Sequence, residues 1–445
     1  SATLRIELSR PSSSEFTFDE RVNRSHCSVS VTNMSQQSLA ALVIAYSILK
    51  RRRKSEQKRS CWVKPWIMQQ SEFSACSMLA KELRIEDPLQ FRNFVRMSSQ
   101  QLQLMVELLG PIIGKKDTKF RTAISVHDRV MVTLRFLASG DSYNSLQYLF
   151  RIPTCTIGSK GTIVQKYEVF PDTREEWQRH AEAFNVQWNF PHCLGALDGK
   201  HIVIQAPANG GSHYFNYKGT HSIVLLGVAN ANYQFTYIDV RCNGRVSDGG
   251  VFQNCSLYDL LENGSASLPD HEPLPGRNMP VPHFFVADDA FAIRSYILKP
   301  YPFRDQPAPN RIFNYKLSRA RRIVENAFGI MANKFRVLRK PINLSADITA
   351  NIVLAVCALH NFLLSTRDSR ENYLTPGVAD SEHPETHEII PGNWREDSTS
   401  GNSFFSLERG KRDNYTTSQR DVREEFKEYF MTPSGEVAWQ YRHIV

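Results

Sequence analysis

Two short apolar segments of this chain each run directly into an aspartate, and this pattern constrains its fold most strongly. Residues 194–197 precede Asp198, and residues 284–287 precede Asp288. A third acid, Glu325, lies among apolar residues spaced three and four apart, which predicts a helix. An ionised carboxylate beside buried apolar residues is costly unless it meets a cation. The pattern predicts two strand ends and one helix that present acids to positive charge.

Each acid alone also has an ordinary interpretation. Asp198 with Gly199 is a common turn pair, an aspartate after a strand often caps the next helix, and Glu325 fits an exposed helix position. Taken together, the three acids are typical ligands for two Mg²⁺ ions, because hard cations take oxygen ligands. Two such ions, about 4 Å apart, activate water and stabilise the departing oxygen of a phosphodiester. The combination predicts phosphodiester chemistry.

Length and charge limit the partners that this chain suits. Its 445 residues allow two or three domains, and a net charge of +9 with a pI near 9.1 favours polyanions such as nucleic acid or simply aids solubility. The eight cysteines show no CxxC pair, which argues against a zinc ribbon or a disulfide scaffold and favours a reducing compartment. The longest apolar run, residues 39–49, is shorter than the roughly 20 residues of a membrane span. It predicts a buried helix, with no signal peptide before it and no membrane.

Changes in composition predict four regions along the chain. These are residues 1–72, a flexible basic N-terminal region; residues 73–190, a helical domain; residues 191–366, strands followed by helices; and residues 367–445, a polar linker with a C-terminal helical tail. A basic cluster at residues 50–59 suits a nuclear import signal, a phosphate-binding arm or a solvated charge run. The third region predicts a mixed sheet covered by helices.

Three consecutive helices are predicted within the helical domain, at residues 128–139, 142–150 and 154–170. This order resembles a helix-turn-helix, in which the last helix would direct Lys160 and Lys166 toward DNA. Three short helices are equally common in plain bundles, and two glycines weaken the last helix. DNA binding by this region is one of two open interpretations.

Five separated motifs resemble the DDE domain of Harbinger-type transposases and their domesticated, nuclease-like relatives. They occur in the family's order across residues 191–364. The motifs are LGALDGKHI (194–202), NYKGTHSIVLLGVANANYQFTYIDV (216–240), GRVSDGGVFQNC (244–255), FFVADDAF (284–291) and RIVENAFGIMANKFRVL (322–338). The resemblance implies an α/β fold with an RNase H-like mixed sheet flanked by helices, preceded by the all-helical domain.

The resemblance also assigns roles to particular residues. It makes Asp198, Asp288 and Glu325 the catalytic ligands of two Mg²⁺ or Mn²⁺ ions, while Asp289 is only a neighbour of the second aspartate. Asp248 matches a further acidic position of the family and is either an accessory residue or a helix cap. The implied activity is hydrolysis of DNA at transposon ends, followed by transfer of the 3′ hydroxyl to target DNA.

Two other functions remain open from the sequence: a domesticated DNA-binding or complex-forming protein without cleavage, and a small-molecule phosphohydrolase. The Harbinger resemblance further implies DNA as partner, a homodimer, a separate Myb-like partner protein and a nuclear location. A nuclease must also neutralise the phosphates flanking the cut. The basic candidates for this role, or for pairing with acidic residues instead, are Lys200, Lys218, Arg319, Arg321 and Arg322.

Overall fold

The structure of the protein is a computed structural model with full side chains. It describes residues 43–45, 63–119, 122–157, 162–164, 170–207, 210–240, 242–246, 248–302, 306–396, 403–407 and 417–443. Two predicted DNA contacts, Lys160 and Lys166, lie outside these ranges.

The first described part consists mainly of short helices. In chain order the elements are β1 Val43–Ala45, α1 Pro65–Met68, α2 Gln70–Phe73, α3 Leu79–Glu86, α4 Pro88–Val95, α5 Ser99–Ile113, α6 Val126–Ser139, α7 Tyr143–Phe150, α8 Thr154–Ile157 and β2 Thr162–Val164. Helix α5 begins at a capping box. The Ser98 hydroxyl accepts from the backbone N–H of Gln101, and the side-chain oxygen of Gln101 accepts from the backbone N–H of Ser98. Both otherwise unpaired donors are thereby satisfied.

Of the three helices predicted for a helix-turn-helix, the first two are present as α6 and α7, and the start of the third is present as α8, Thr154–Ile157. The third prediction, over residues 154–170, is wrong at Thr162–Val164, which forms a strand paired with Val43–Ala45. The helix predicted over residues 39–49 is also wrong at Val43–Ala45, because these residues form the strand that pairs with β2. Glycines before β2 and β-branched residues within it favour extended backbone over helix. A DNA-binding role for this region therefore remains a prediction.

The second described part alternates strands and helices. Its elements are α9 Arg174–Trp188, β3 Cys193–Val203, β4 Ser222–Ala229, β5 Phe235–Asp239, α10 Asp248–Gln253, α11 Ser256–Glu262, β6 Glu272–Pro273, β7 Pro280–Val281, β8 Phe284–Val286, β9 Ile297–Leu298, α12 Ala308–Lys334, a 3₁₀ turn at Arg336–Arg339, α13 Ala346–Leu364, α14 Arg367–Tyr373, β10 Ser381–Glu382, β11 Ile389–Ile390, β12 Phe404–Ser406, α15 Thr417–Tyr429 and a 3₁₀ turn at Gln440–His443. The predicted C-terminal helix is confirmed as α15.

A mixed sheet organises this part, as the sequence predicted. Its strand order is β5-β4-β3-β8-β9, and β12 pairs with β3. Strands β3, β4 and β5 are mutually antiparallel, while β3, β8 and β9 are parallel. All residues of β4, β5 and β8 are buried, which agrees with their mostly apolar sequences.

Strand β3 continues through Asp198 to Val203, whereas the sequence predicted a strand end at Asp198. Asp198 lies inside this strand opposite Gly227, and Gly199 lies opposite Leu226, so neither residue forms a turn. A Cβ atom at position 199 would overlap the side chain of Leu407. The glycine is thus required by close packing inside a strand.

Helix α13 is long and apolar enough to cross a membrane by length and composition. In the structure it is a core helix, and most of its residues are buried among protein. Asn361 exchanges two hydrogen bonds with the backbone of Phe235, of 2.7 and 2.8 Å, and His360 bonds the carbonyl of Tyr233 at 2.8 Å. These contacts tie α13 to the sheet.

The polar segment that follows α14 differs from the linker that its composition predicts. Asp380 and Phe405 are buried, and β12 extends the sheet along β3. Asn326 on α12 holds this segment, since its side chain bonds the backbone of Asp380 and the indole of Trp394. A few buried anchors, spaced widely in a polar sequence, are enough to dock it.

Candidate functional site

The structure brings the three predicted acids to one cavity of about 280 Å³. Asp198 comes from the middle of β3, Asp288 lies two residues beyond the end of β8, and Glu325 lies on α12. Because β3 and β8 are adjacent parallel strands, Asp198 and Asp288 reach the same cavity. The helical position predicted for Glu325 is observed.

Backbone donors orient both aspartates. The N–H of Gly199 donates to Asp198 Oδ1 at 2.8 Å, and the N–H of Ala290 donates to Asp288 Oδ1 at 3.0 Å. Each carboxylate thus has one oxygen held by the chain and a second oxygen that pairs with a cation. The carboxylates are pre-oriented, which reduces the cost of binding positive charge.

Two basic side chains contact the free oxygens. Lys200 Nζ lies 2.8 Å from Asp198 Oδ2, while the Arg321 guanidinium lies 3.7 Å from Asp288 Oδ2 and 2.7 Å from Glu325 Oε1. In the described part of the chain, the three acids are not among the groups whose ligand atoms all lie within 4.8 Å of one another. Arg321 stands between them and bridges two of them.

The charges in this cavity shift the pKa of two groups. Burial, and secondly the charge of Asp198, raise the pKa of Asp288 to about 6. Burial lowers the pKa of Arg321, but the charges of Glu325, Asp198 and Asp288 outweigh burial and raise it. Both pKa values are raised: burial and the charge of Asp198 disfavour ionised Asp288, while the neighbouring acids favour the charged form of Arg321.

The C-terminal segment forms one wall of the cavity, and sequence reasoning missed it. Arg395 lies 3.8 Å from Glu325 and donates three hydrogen bonds, of 2.5, 2.9 and 3.1 Å, to the buried Asp380. Trp394, Phe404, Phe405 and Ser406 also line the cavity. Isolated aromatic residues within a polar stretch were the available sign that it docks on the protein.

We expect Gly329→Ala to displace Trp394 from this wall. A Cβ atom at position 329 would overlap the indole ring, so the ring must move or the helix must shift. Overpacking of this kind costs about 1–3 kcal/mol of unfolding free energy, measurable by chemical denaturation. Gly110→Ala is the matched control, because a Cβ there meets nothing and alanine should stabilise helix α5 by about 1 kcal/mol. Equal stabilities for both variants would contradict this packing.

Arg319 and Arg322, two predicted DNA contacts, bind an acidic residue in the structure. Arg319 donates two hydrogen bonds of 2.8 Å to Glu382, and Arg322 donates one of 3.0 Å to the same carboxylate. Both arginines are buried. Burial would raise the pKa of Glu382, but Arg319 and Arg322 outweigh it and lower that pKa. Of the two roles left open by the sequence, Arg319 and Arg322 therefore pair with an acidic residue in the structure.

We expect Arg319→Ala to reduce the free energy of unfolding by about 3–5 kcal/mol, because it leaves the Glu382 charge without its main partner. Chemical denaturation of the full chain measures this. Arg367→Ala, in the exposed pair with Glu371, is the control and should change stability by less than about 1 kcal/mol. A similar loss in both variants would refute a structural role for the buried cluster.

The remaining predicted residues lie around the cavity or outside the described side chains. Lys200 lines the cavity and also donates to Ser406 Oγ at 2.7 Å. Lys218 is exposed and lies 4.1 Å from the ring centre of Phe405, at the rim. Asp248 begins α10, but its side chain lies outside the described part. Asp289 is a described residue that does not line the cavity.

Comparison with known proteins identifies the class. Residues 197–361 match the family described as "DDE superfamily endonuclease". "Protein ALP1-like" of Arabidopsis thaliana is 23% identical over 63% of this chain and 72% of its own length. "Putative nuclease HARBI1" of Homo sapiens is 24% identical over 65% of this chain and 81% of its own length. No solved structure matches the chain.

Residues 197–361 thus match a DDE superfamily endonuclease domain, a class with an RNase H-like fold, and the mixed sheet agrees with that fold. The resemblance to Harbinger transposase-derived nucleases, which the five motifs indicated, is confirmed. DNA is the substrate class that such nucleases imply.

Proposed function

We propose that this protein cleaves DNA phosphodiester bonds with divalent metal ions bound by Asp198, Asp288 and Glu325. The supporting observation is that these acids, far apart in sequence, line one cavity. Two basic side chains, Lys200 and Arg321, already contact their carboxylate oxygens there. A domain of the DDE endonuclease class provides the same chemistry. The proposal extends this class to the particular residues and to metal dependence.

The donor set fits Mg²⁺ or Mn²⁺. Three carboxylates supply hard oxygen ligands. The raised pKa of Asp288 reflects its burial and, secondly, the charge of Asp198, which Arg321 only partly offsets. Two such ions, when bound, lower the pKa of a water nucleophile and stabilise the leaving oxygen. Because Arg321 bridges Asp288 and Glu325, its guanidinium must yield its place for these acids to serve as ligands.

The chain's own residues orient the carboxylates and neutralise the phosphates of the DNA. The backbone N–H groups of Gly199 and Ala290 fix the two aspartates, so that little reorganisation is needed during the reaction. Asp380 positions Arg395 beside Glu325, which places a second guanidinium at the cavity. We propose that Lys200, Lys218 and Arg321 contact the phosphates that flank the cut, since all three lie in or beside the cavity.

We further propose that the DNA is a transposon end and that its free 3′ hydroxyl then attacks target DNA. A homodimer would allow two ends to be joined, and a Myb-like partner would assist DNA binding. A nuclear location fits the basic cluster at residues 50–59. These steps rest on the Harbinger resemblance and on the net charge of +9.

The main alternative is a domesticated DNA-binding protein without cleavage. The presence of all three acids in one cavity favours cleavage, because a binding role alone does not need them. The deciding experiment incubates the full chain with candidate transposon ends and Mg²⁺ or Mn²⁺, and maps nicks at nucleotide resolution. Metal-dependent nicks at one defined end position support the proposal, whereas binding that is metal-independent and leaves every strand intact supports the alternative.

A further inference from the structure

A second cluster of possible metal ligands lies at the other end of the same two strands. His192 immediately precedes β3, and His283 immediately precedes β8. Because Cys193 pairs with Phe284 in the parallel ladder, the two histidines are neighbours. Their rings stack with centroids 4.3 Å apart and planes inclined by 11°. By contrast, of the acids proposed for catalysis, Asp198 lies five residues after Cys193, the first residue of β3, and Asp288 lies beyond the end of β8.

The hairpin formed by β6 and β7 adds an acid to this pair. Glu272 on β6 is paired with Val281 on β7, two residues before His283. One ligand atom each from His192, Glu272 and His283 can be chosen so that all three lie within 4.8 Å of one another. Two imidazoles and one carboxylate are a common ligand set for zinc.

Both imidazoles carry an unsatisfied buried nitrogen. The Nδ1 atoms of His192 and His283 are inaccessible to solvent and have no hydrogen-bond partner. His283 is 5% exposed, whereas Glu272 is exposed. A buried polar atom without a partner is uncommon in a native protein, and a bound ion is one physical explanation. The exposed carboxylate leaves a path by which an ion can reach the rings.

The backbone at His192 supports a special role. Its φ of 59° is in the left-handed region, which is uncommon for a residue other than glycine and is often found at functional sites.

The other possible ligand group in the described residues differs from the histidine pair in its hydrogen bonding. Cys76, His127 and Asp128 also lie within 4.8 Å of one another. There the groups bond each other and their surroundings: His127 Nδ1 lies 3.3 Å from Asp128, and Gln70 donates to Asp128 at 3.2 Å. That group is already satisfied without an ion, so the unpartnered nitrogens single out the histidine pair.

We propose that His192, His283 and Glu272 form a zinc site, with water as the fourth ligand, that ties the β6–β7 hairpin to the amino ends of β3 and β8. A tetrahedral zinc ion with ligands at about 2.1 Å needs its ligand atoms about 3.4 Å apart. The stacked rings must therefore turn toward each other, and the exposed Glu272 side chain must close on them. The site is independent of DNA cleavage and of the metal proposed there.

Zinc retention by the full chain tests this site. The protein is stripped with a chelator, loaded with Zn²⁺, and dialysed against zinc-free buffer that contains Mg²⁺, before metal analysis and thermal unfolding. We expect about one zinc per chain and a Tm several degrees higher than that of the stripped protein. Glu272→Gln and His283→Gln should retain no zinc and show no rise in Tm. Because Glu272 is exposed, its variant should fold normally, which an unchanged Tm of the stripped protein would verify.

Matched variants at the other candidate sites make the result specific. His127→Gln and Asp198→Asn should retain zinc as the wild type does. Co²⁺ substitution should give visible absorption without a thiolate-to-cobalt band, because the proposed ligands include no cysteine. The proposal is overturned if the wild type retains no zinc, if Glu272→Gln retains it fully, or if the thiolate band appears and is lost in Cys76→Ser.

Discussion

Asp198→Asn is expected to reduce DNA cleavage by a factor on the order of 10³ or more while leaving DNA binding intact. Asparagine keeps the size of the side chain and its oxygen can still accept from the Gly199 N–H. It removes, however, the charge that would hold a metal ion, so the reaction loses its principal electrostatic contribution. Binding depends on phosphate contacts and should stay equal or improve, because one negative charge is removed.

Asp289→Asn is the matched control for this variant. Asp289 is adjacent to Asp288 in sequence but does not line the cavity. Its variant should cleave at nearly the wild-type rate. The assay compares single-turnover cleavage of the same end in Mg²⁺ with binding measured at two salt concentrations. Full cleavage by Asp198→Asn, or an equal loss in Asp289→Asn, would assign the chemistry to other residues.

Asp288→Asn is expected to stabilise the metal-free protein above pH 6 while abolishing cleavage. The pKa of Asp288 is about 6 in the folded protein, compared with an ordinary value of 3.8, because burial and Asp198 disfavour its charge. Above pH 6 the folded protein therefore bears the cost of the charged form. Asparagine removes that cost, a gain on the order of 2 kcal/mol.

The same pKa predicts how the gain depends on pH. Between about pH 4 and 6 the folded wild type binds a proton that the unfolded chain releases, so the contribution of Asp288 to stability improves as pH falls. The difference between Asp288→Asn and wild type should thus shrink from pH 7 toward zero near pH 4. Denaturation midpoints at several pH values measure it, with Asp289→Asn as control. If Asp288→Asn is instead less stable than wild type above pH 6, the pKa of Asp288 is lowered in the folded protein.

Mg²⁺ should make the wild type more stable than Asp288→Asn, which reverses the order expected without metal. Metal binding favours the ionised carboxylates, so wild type should gain stability with Mg²⁺ while Asp288→Asn gains less. Cleavage by the wild type should also decline below about pH 6, as Asp288 becomes protonated. If Mg²⁺ stabilises both proteins equally, Asp288 is not a ligand.

Much of the site was predictable because its chemistry is carried by local sequence. Apolar segments that run into Asp198 and Asp288, and the helical spacing around Glu325, predicted two strand ends and one helix that present acids to positive charge. Eight apolar or small residues in a row, residues 222–229, leave little choice but the buried strand β4. The Asp-Gly pair was misinterpreted as a strand end, because a turn propensity does not register that Gly199 packs against Leu407.

The remainder of the site depends on contacts between residues distant in sequence. Composition predicted a linker after α14, yet Asp380, Trp394 and Phe405 dock there on partners from α12 and β3. Arg319, Arg321 and Arg322 were equivalent candidates for DNA in the sequence. Their positions on α12 direct two of them to Glu382 and one to the acids, which helical spacing alone could not assign.

Local pattern by itself determined the class of fold, the three acids and the chemistry that they suit, because strand and helix formation and metal preference depend on nearby residues and side-chain type. Tertiary structure alone decided which cations meet those acids, which segment walls the cavity, and that His192 and His283 stack. The physical reason is that charge pairing and burial act through space. A side chain's partner is set by the packing of the whole domain and not by its neighbours in the chain.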